Sequence, residues 1–80
     1  MISRRQLTYW IARGYLRPAR RGPRLVWSRA EAAVRDLMGR LVDAGLTPAA
    51  AAAVARAHTT LGVRAHELGP GITLTIREVP

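Results

Sequence analysis

Residues 3–29, "SRRQLTYWIARGYLRPARRGPRLVWSR", decide how this chain is read. They hold eight arginines and no acid, whereas residues 30–80 hold five arginines against five acids, so the whole net charge of +8 on the 80-residue chain sits at one end. Like charge without counter-charge sets up a positive field over one surface, and that field draws in a polyanion, nucleic acid or an anionic membrane, before shape recognition begins. Ser3 and Gln6 form a capping box and Gly14 stands where the helix they start would stop, which predicts a helix over 3–13. At 100° per residue Leu7, Trp10, Ile11 and Gly14 share one side, which puts Trp10 in the core. Arg5, Tyr9 and Arg13 lie opposite, with Gln6 and Thr8 on the flanks.

Residues 15–27 place two prolines, one glycine and four arginines around the apolar pairs Tyr15-Leu16 and Leu25-Val26. With Gly22-Pro23 as a turn this reads as a two-stranded ribbon with a charged tip, the alternative being an irregular loop. Ser28-Arg29-Ala30-Glu31 is a second capping box. The helix it opens, 28–44, keeps the i, i+3, i+4, i+7 rhythm in Ala30, Ala33, Val34, Leu37, Met38, Leu41 and Val42. Gly45 ends it, and Thr47-Pro48 starts a third helix, 47–61, whose inner side Leu46, Ala50, Ala53, Val54, Ala57 and Leu61 are expected to line. Beyond Gly62 the rhythm fades. "ITLTI" then alternates Ile72, Leu74 and Ile76 with Thr73, Thr75 and Arg77, which predicts a strand over 72–77. One strand cannot satisfy its own backbone groups, so it must pair either with the ribbon or, the favoured option, with the same strand of a second subunit.

The chain has no cysteine, which excludes a disulfide scaffold, a thiolate metal site and a cysteine nucleophile. It has no apolar run of the roughly 18 residues that a membrane helix needs, so no membrane partner is expected. "SRRQLT" lacks the apolar stretch that would make it a twin-arginine export signal. His58 and His66 with Glu67, and Asp36 with Asp43, match no metal or catalytic spacing and read as surface polar residues, so neither an enzyme nor a cofactor is expected. No aromatic sheet motif or glycine-rich loop points to RNA.

The order of a helix with an arginine-bearing face, a basic ribbon and an amphipathic helix is that of a winged helix-turn-helix. Residues 2–54, "ISRRQLTYWIARGYLRPARRGPRLVWSRAEAAVRDLMGRLVDAGLTPAAAAAV", resemble the DNA-binding domain of the MerR family of bacterial regulators. The resemblance runs through Ile-Ser-x-Arg-x-Leu-x-Tyr-aromatic, Gly-Tyr-Leu-x-Pro-x-Arg, Trp27-Ser28 and the Leu-x-x-Ala-Gly-Leu-Thr between the later helices. With the C-terminal strand read from the alternation over 72–77, the expected fold is α+β, mainly helical, and residues 63–80 form a C-terminal segment that is a candidate dimerisation element. The resemblance itself implies a DNA-binding domain over residues 1–62, made of a recognition helix, a two-stranded wing and two following helices. It also implies that Arg4, Arg5, Gln6, Thr8 and Tyr9 lie in or beside the major groove, with Arg13 extending the basic face. Arg17, Arg20, Arg21 and Arg24 would run along the wing toward phosphates or the minor groove. Arginine suits guanine and glutamine suits adenine, while tyrosine and threonine hydroxyls hold phosphates. Trp27 is expected to pack under the wing, the alternative being a phosphate contact through its indole N–H.

Three departures from the family pattern bear on function. The helix that normally precedes the recognition helix would fall upstream of Met1, where in-frame codons are expected to encode it, or else the chain is expected to be less stable than a full domain. Gly62 to Pro80 is too short for the long dimer helix and effector domain of larger members. The cysteines of metal-sensing members are absent. The expected function is sequence-specific binding of double-stranded DNA, as a homodimer or cooperative array, by a small cytoplasmic, nucleoid-associated transcription regulator that realigns promoter elements for RNA polymerase. An excisionase-like DNA-bending factor and a protein-interaction subunit that has lost DNA binding are the alternatives.

Overall fold

The computed structural model describes residues 2–77. In chain order these form α1 (Arg4–Ala12), β1 (Ala19–Arg21), β2 (Arg24–Val26), α2 (Arg29–Asp43), α3 (Pro48–Leu61), β3 (Ala65–Gly69) and β4 (Ile72–Thr75), an α+β arrangement of three helices and two small antiparallel hairpins. The expected segment 63–80 is described only to Arg77, its last three residues lying outside the described range.

The cap of α1 is reciprocal, as Ser3-x-x-Gln6 predicts: the Gln6 N–H donates to Ser3 Oγ at 3.1 Å and the Ser3 N–H donates to Gln6 Oε1 at 3.0 Å. At its other end Gly14 takes φ +79°, a conformation glycine adopts without steric cost. The Tyr15 and Leu16 N–H groups then both donate to the Trp10 carbonyl, at 2.9 and 3.4 Å, and fold the chain back. That reversal buries Leu16 beside Trp10, 1% and 2% exposed, in one cluster with Val34, Leu37, Met38 and Leu41 of α2 and Ala51, Ala52, Val54 and Ala55 of α3. Burying each of the large apolar members contributes about 1.5–3 kcal/mol.

Ser28 caps α2 through the Glu31 N–H at 3.0 Å, but the Glu31 carboxylate turns elsewhere, so the second capping box is only half formed. The apolar rhythm of α2 holds at Val34, Leu37, Met38 and Leu41. Ala30 and Ala33, expected in the same row, are exposed, while Glu31 takes the buried position in the first turn of α2. Gly39 is buried because Ile2 lies on it: a Cβ there would stand 2.6 Å from Ile2 Cγ1. In α3 the expected inner row fails at Ala53 and Leu61, both exposed, while Ala51, Ala52 and Ala55 are buried. A run of alanines carries no periodicity, so packing against α2 chose the face.

Both hairpins also correct the sequence reading. The first strand of the ribbon is Ala19–Arg21, not Tyr15-Leu16, and its register against β2 is Ala19↔Val26, Arg20↔Leu25, Arg21↔Arg24. The two-residue loop Gly22-Pro23, with Gly22 at φ +59°, forces the flanking residues to pair directly, which leaves Tyr15-Leu16 too far from the turn to be a strand. The strand expected over 72–77 is Ile72–Thr75. Within the chain it pairs not with the ribbon but with β3, a strand the sequence did not mark, in the register Ala65↔Thr75, His66↔Leu74, Glu67↔Thr73, Gly69↔Ile72, with a bulge between Glu67 and Gly69. The Pro70-Gly71 loop, with Gly71 at φ +75°, closes that hairpin. Leu74 and Ile76 pack on the helical core.

Candidate nucleic-acid interface

Alpha1 presents its polar face as a row one turn apart. Arg5, Tyr9 and Arg13 are exposed at i, i+4 and i+8, while Trp10 on the opposite side is locked into the core. Arg4 and Thr8 flank the row, and the Thr8 hydroxyl donates to the Arg4 carbonyl at 2.9 Å. Gln6 is half-buried and its Oε1 is committed to the cap, which takes away one of the two groups that a bidentate adenine contact uses. The Arg13 guanidinium lies 6.0 Å from the Tyr15 ring centroid. Hydrogen bonding to Tyr15, with lesser attraction from Tyr9 and the Tyr15 oxygen, holds its pKa above the ordinary arginine value.

The β1–β2 hairpin carries Arg20, Arg21 and Arg24, while Arg17 precedes it and Arg29 opens α2. Residues paired across an antiparallel ladder share a face, so Arg21 stands directly opposite Arg24 on one side while Arg20 lies with Leu25 on the other. All are exposed. A like-charge pair in that position destabilises the hairpin by some tenths of a kcal/mol unless an anion sits between the two groups. Among the described residues the ion pairs are Arg35–Asp36 at 3.0 Å and Arg56–Glu31 at 2.8 Å, so none of the eight arginines of residues 3–29 has its charge matched by a carboxylate within 4 Å.

What holds the hairpin to the helices is a node that the sequence did not disclose. Glu31 accepts the Arg17 backbone N–H at 2.7 Å and both arms of Arg56, Nη1 at 3.0 Å and Nη2 at 2.8 Å, and the same Nη2 reaches the Tyr15 carbonyl at 3.0 Å. One carboxylate thus ties the root of the hairpin to α2 and α3. The fork of Arg56 is the main cause that holds the Glu31 pKa below the usual carboxylate range, with the Arg17 N–H adding to it against an opposing effect of burial. Glu31 in turn raises the pKa of Arg56. Arg17 also donates from Nε to the Gly14 carbonyl at 3.3 Å, which draws its side chain toward the end of α1. In sequence Glu31 read as a capping-box residue. The signal for its other role was Arg56, the one charged side chain in an otherwise alanine-rich helix.

Trp27 packs half-buried at the base of the hairpin, as expected, with the Arg35 guanidinium 4.7 Å above its ring. His66 departs from expectation. Instead of lying on the surface it is 8% exposed on the inner face of β3, with its Nε2 lacking a partner and its ring 6.4 Å from that of His58. The reason is register: His66 pairs with Leu74, and Leu74 faces the core. Among the described residues no three histidine, aspartate or glutamate side chains gather as a metal-ligand set, and no helix is long and apolar enough to cross a membrane. Comparison with protein-family models, curated proteins and solved structures finds no match, which leaves the geometry above as the ground for assigning a function.

Proposed function

We propose that the chain binds double-stranded DNA in a sequence-specific manner through α1 and the β1–β2 hairpin, as a small MerR-like winged helix-turn-helix transcription regulator. The observation that carries this reading is the set of arginines on α1 and the following hairpin, Arg4, Arg5, Arg13, Arg20, Arg21 and Arg24, none of which is ion-paired to a carboxylate among the described residues, with Arg21 opposite Arg24. Two arginines paired across an antiparallel ladder without an acid between them gain from a bound anion, and a phosphate backbone supplies anions at regular spacing. The exposed row of α1 has the length and width to enter a major groove about 12 Å wide, where Arg5 meets base edges and Tyr9 holds a phosphate. Arg20, Arg21 and Arg24 on the hairpin then anchor the backbone alongside, while the Glu31–Arg56 node fixes the hairpin relative to the helices. Transcriptional control follows from the MerR resemblance of residues 2–54.

The test is equilibrium binding to a duplex enriched from a random pool, with unselected duplex and RNA as competitors, over a salt series. If about six phosphates are neutralised, log affinity falls against log salt with a slope near −5, and the enriched duplex outcompetes random duplex and RNA. Binding that ignores salt, preference for RNA, or no preference for the enriched duplex overturns the reading.

A further inference from the structure

The geometry points to the free edge of β4 as a self-association surface whose occupant is the β4 of a second copy of this chain, joined antiparallel about a two-fold axis through Leu74. Beta3 and β4 make a two-stranded sheet, so among the described residues the outer edge of each strand is unpaired. The edges are not equivalent. The edge of β3 is disrupted by the bulge between Glu67 and Gly69, a feature that twists an edge away from pairing. The edge of β4, Ile-Thr-Leu-Thr, has no bulge, proline or charge to guard it.

Hydrogen-bond direction fixes which groups this edge offers. The Ile76 N–H donates to the Arg64 carbonyl at 3.0 Å, toward β3. Backbone groups alternate along an antiparallel strand, so those of Leu74 also face β3 and those of Thr73 and Thr75 face outward. Two copies that exchange hydrogen bonds through these groups pair Thr73 with the partner's Thr75 and Thr75 with the partner's Thr73, which sets Leu74 against the partner's Leu74 on the axis and Ile72 against the partner's Ile76. Apolar pattern leads independently to the same register. Ile72, Leu74 and Ile76 share a face, of which Leu74 and Ile76 are half-buried on the core while Ile72 is left 59% exposed. Set beside the partner's Ile76, Ile72 gains the apolar neighbour that its own chain does not provide. On the outer face each Thr73 meets a Thr75, a favourable cross-strand pair. A two-stranded hairpin is marginal by itself, and the pairing turns it into a four-stranded sheet with one continuous apolar face. The contact is smaller than the roughly 1,200–2,000 Å² of a standard stable interface, so the dimer is expected to be reversible and in the micromolar range or weaker.

Sedimentation of the full chain without DNA, over a concentration series, tests this separately from the DNA reading. The expected result is a concentration-dependent rise toward twice the mass of one chain. Thr73→Pro removes an outward N–H while leaving every bond to β3 in place, and is expected to weaken association at least tenfold with an unchanged far-ultraviolet circular dichroism spectrum. In case that variant folds poorly, Leu74→Cys introduces the single thiol of a chain without cysteine. Its position on the axis predicts a disulfide-linked dimer on mild oxidation, whereas Glu67→Cys, on the far strand, stays monomeric. A chain that remains monomeric at high concentration, a folded Thr73→Pro variant that associates as the parent does, or equal cross-linking of the two cysteine variants overturns the proposal, whatever the DNA experiment shows.

Discussion

At the scale of the residue, Glu31 has the largest reach. It touches three segments, and the groups that it satisfies, the Arg17 N–H and the Arg56 fork, have no equivalent acceptor if it is removed. Glu31→Gln keeps the shape but not the charge. It is expected to cost about 1–3 kcal/mol in chemical denaturation near neutral pH, toward the lower end because a third of the Arg56 side chain is still exposed. The folded-state pKa of Glu31 is lowered, so its contribution is full above the ordinary carboxylate pKa and is lost as pH falls through the lowered folded value. Denaturation curves of the parent should therefore lose stability on acidification over that window, and the difference between parent and Glu31→Gln should shrink with it. Equal differences at neutral and strongly acidic pH would place the stabilisation elsewhere. Under the proposed DNA-binding reading, Arg5→Ala should cost about 1–3 kcal/mol and blur preference at one base pair, whereas Arg24→Ala should weaken all duplexes alike. Binding to a panel of single-base variants separates the two outcomes.

At the scale of the element, α3 and the β1–β2 hairpin show two ways in which a local sequence leaves its partner undecided. "PAAAAAVARAHTTL" favours a helix at nearly every position but names no face, and the buried side turns out to be Ala51, Ala52, Val54 and Ala55. Alanine at the contact lets α2 and α3 approach closely, so Ala55→Leu should overpack the contact and cost about 1–3 kcal/mol. Ala53→Leu, on the exposed side, should stay within about 0.5 kcal/mol of the parent. Thermal melts of the two variants check the assigned face. In the hairpin, Gly22-Pro23 set the pairing and thereby placed Arg21 against Arg24. Replacing both by Ala should leave the free protein as stable as before, or more so by some tenths of a kcal/mol, while reducing the salt slope of DNA binding by about 2. A variant that loses stability and keeps its slope would make these arginines structural.

At the scale of the whole molecule the charge distribution acts in opposite directions on the free and bound states. A net charge of +8 concentrated in residues 3–29 repels itself, so screening by salt should raise the melting temperature of the free protein between low and moderate ionic strength. The same salt weakens a DNA complex by removing the gain from counterion release. Melting curves with and without duplex, recorded over one salt series, should therefore converge and cross from strong stabilisation by DNA at low salt to little at high salt. Parallel curves would show that DNA is not held by this charge. If the chain associates through β4 as proposed, the dimer would offer two α1 helices and two basic hairpins to one duplex, and affinity would rise through effective concentration.

The sequence by itself determined the helices and their ends, because the Ser3–Gln6 capping box, the Ser28 and Thr47 N-caps, Pro48 at a first helical position and glycines at positive φ are local chemistry that acts within a few residues. It also determined that Trp10 is core and that the basic residues crowd into one end of the chain. Tertiary structure alone decided where Glu31 points, which alanines of α3 are buried, that His66 is inside, and what pairs with β4. In each of these the local sequence permits several answers of similar energy. Alanine has no preferred side, a glutamate at a helix start can cap or reach outward, and "AHELG" has neither the alternation nor the β-branched residues that mark a strand. The Pro70-Gly71 turn folds β4 back along whatever precedes it, so the partner was set by chain reversal and by the apolar face that Leu74 and Ile76 share with the helices, interactions that exist only once the chain is assembled.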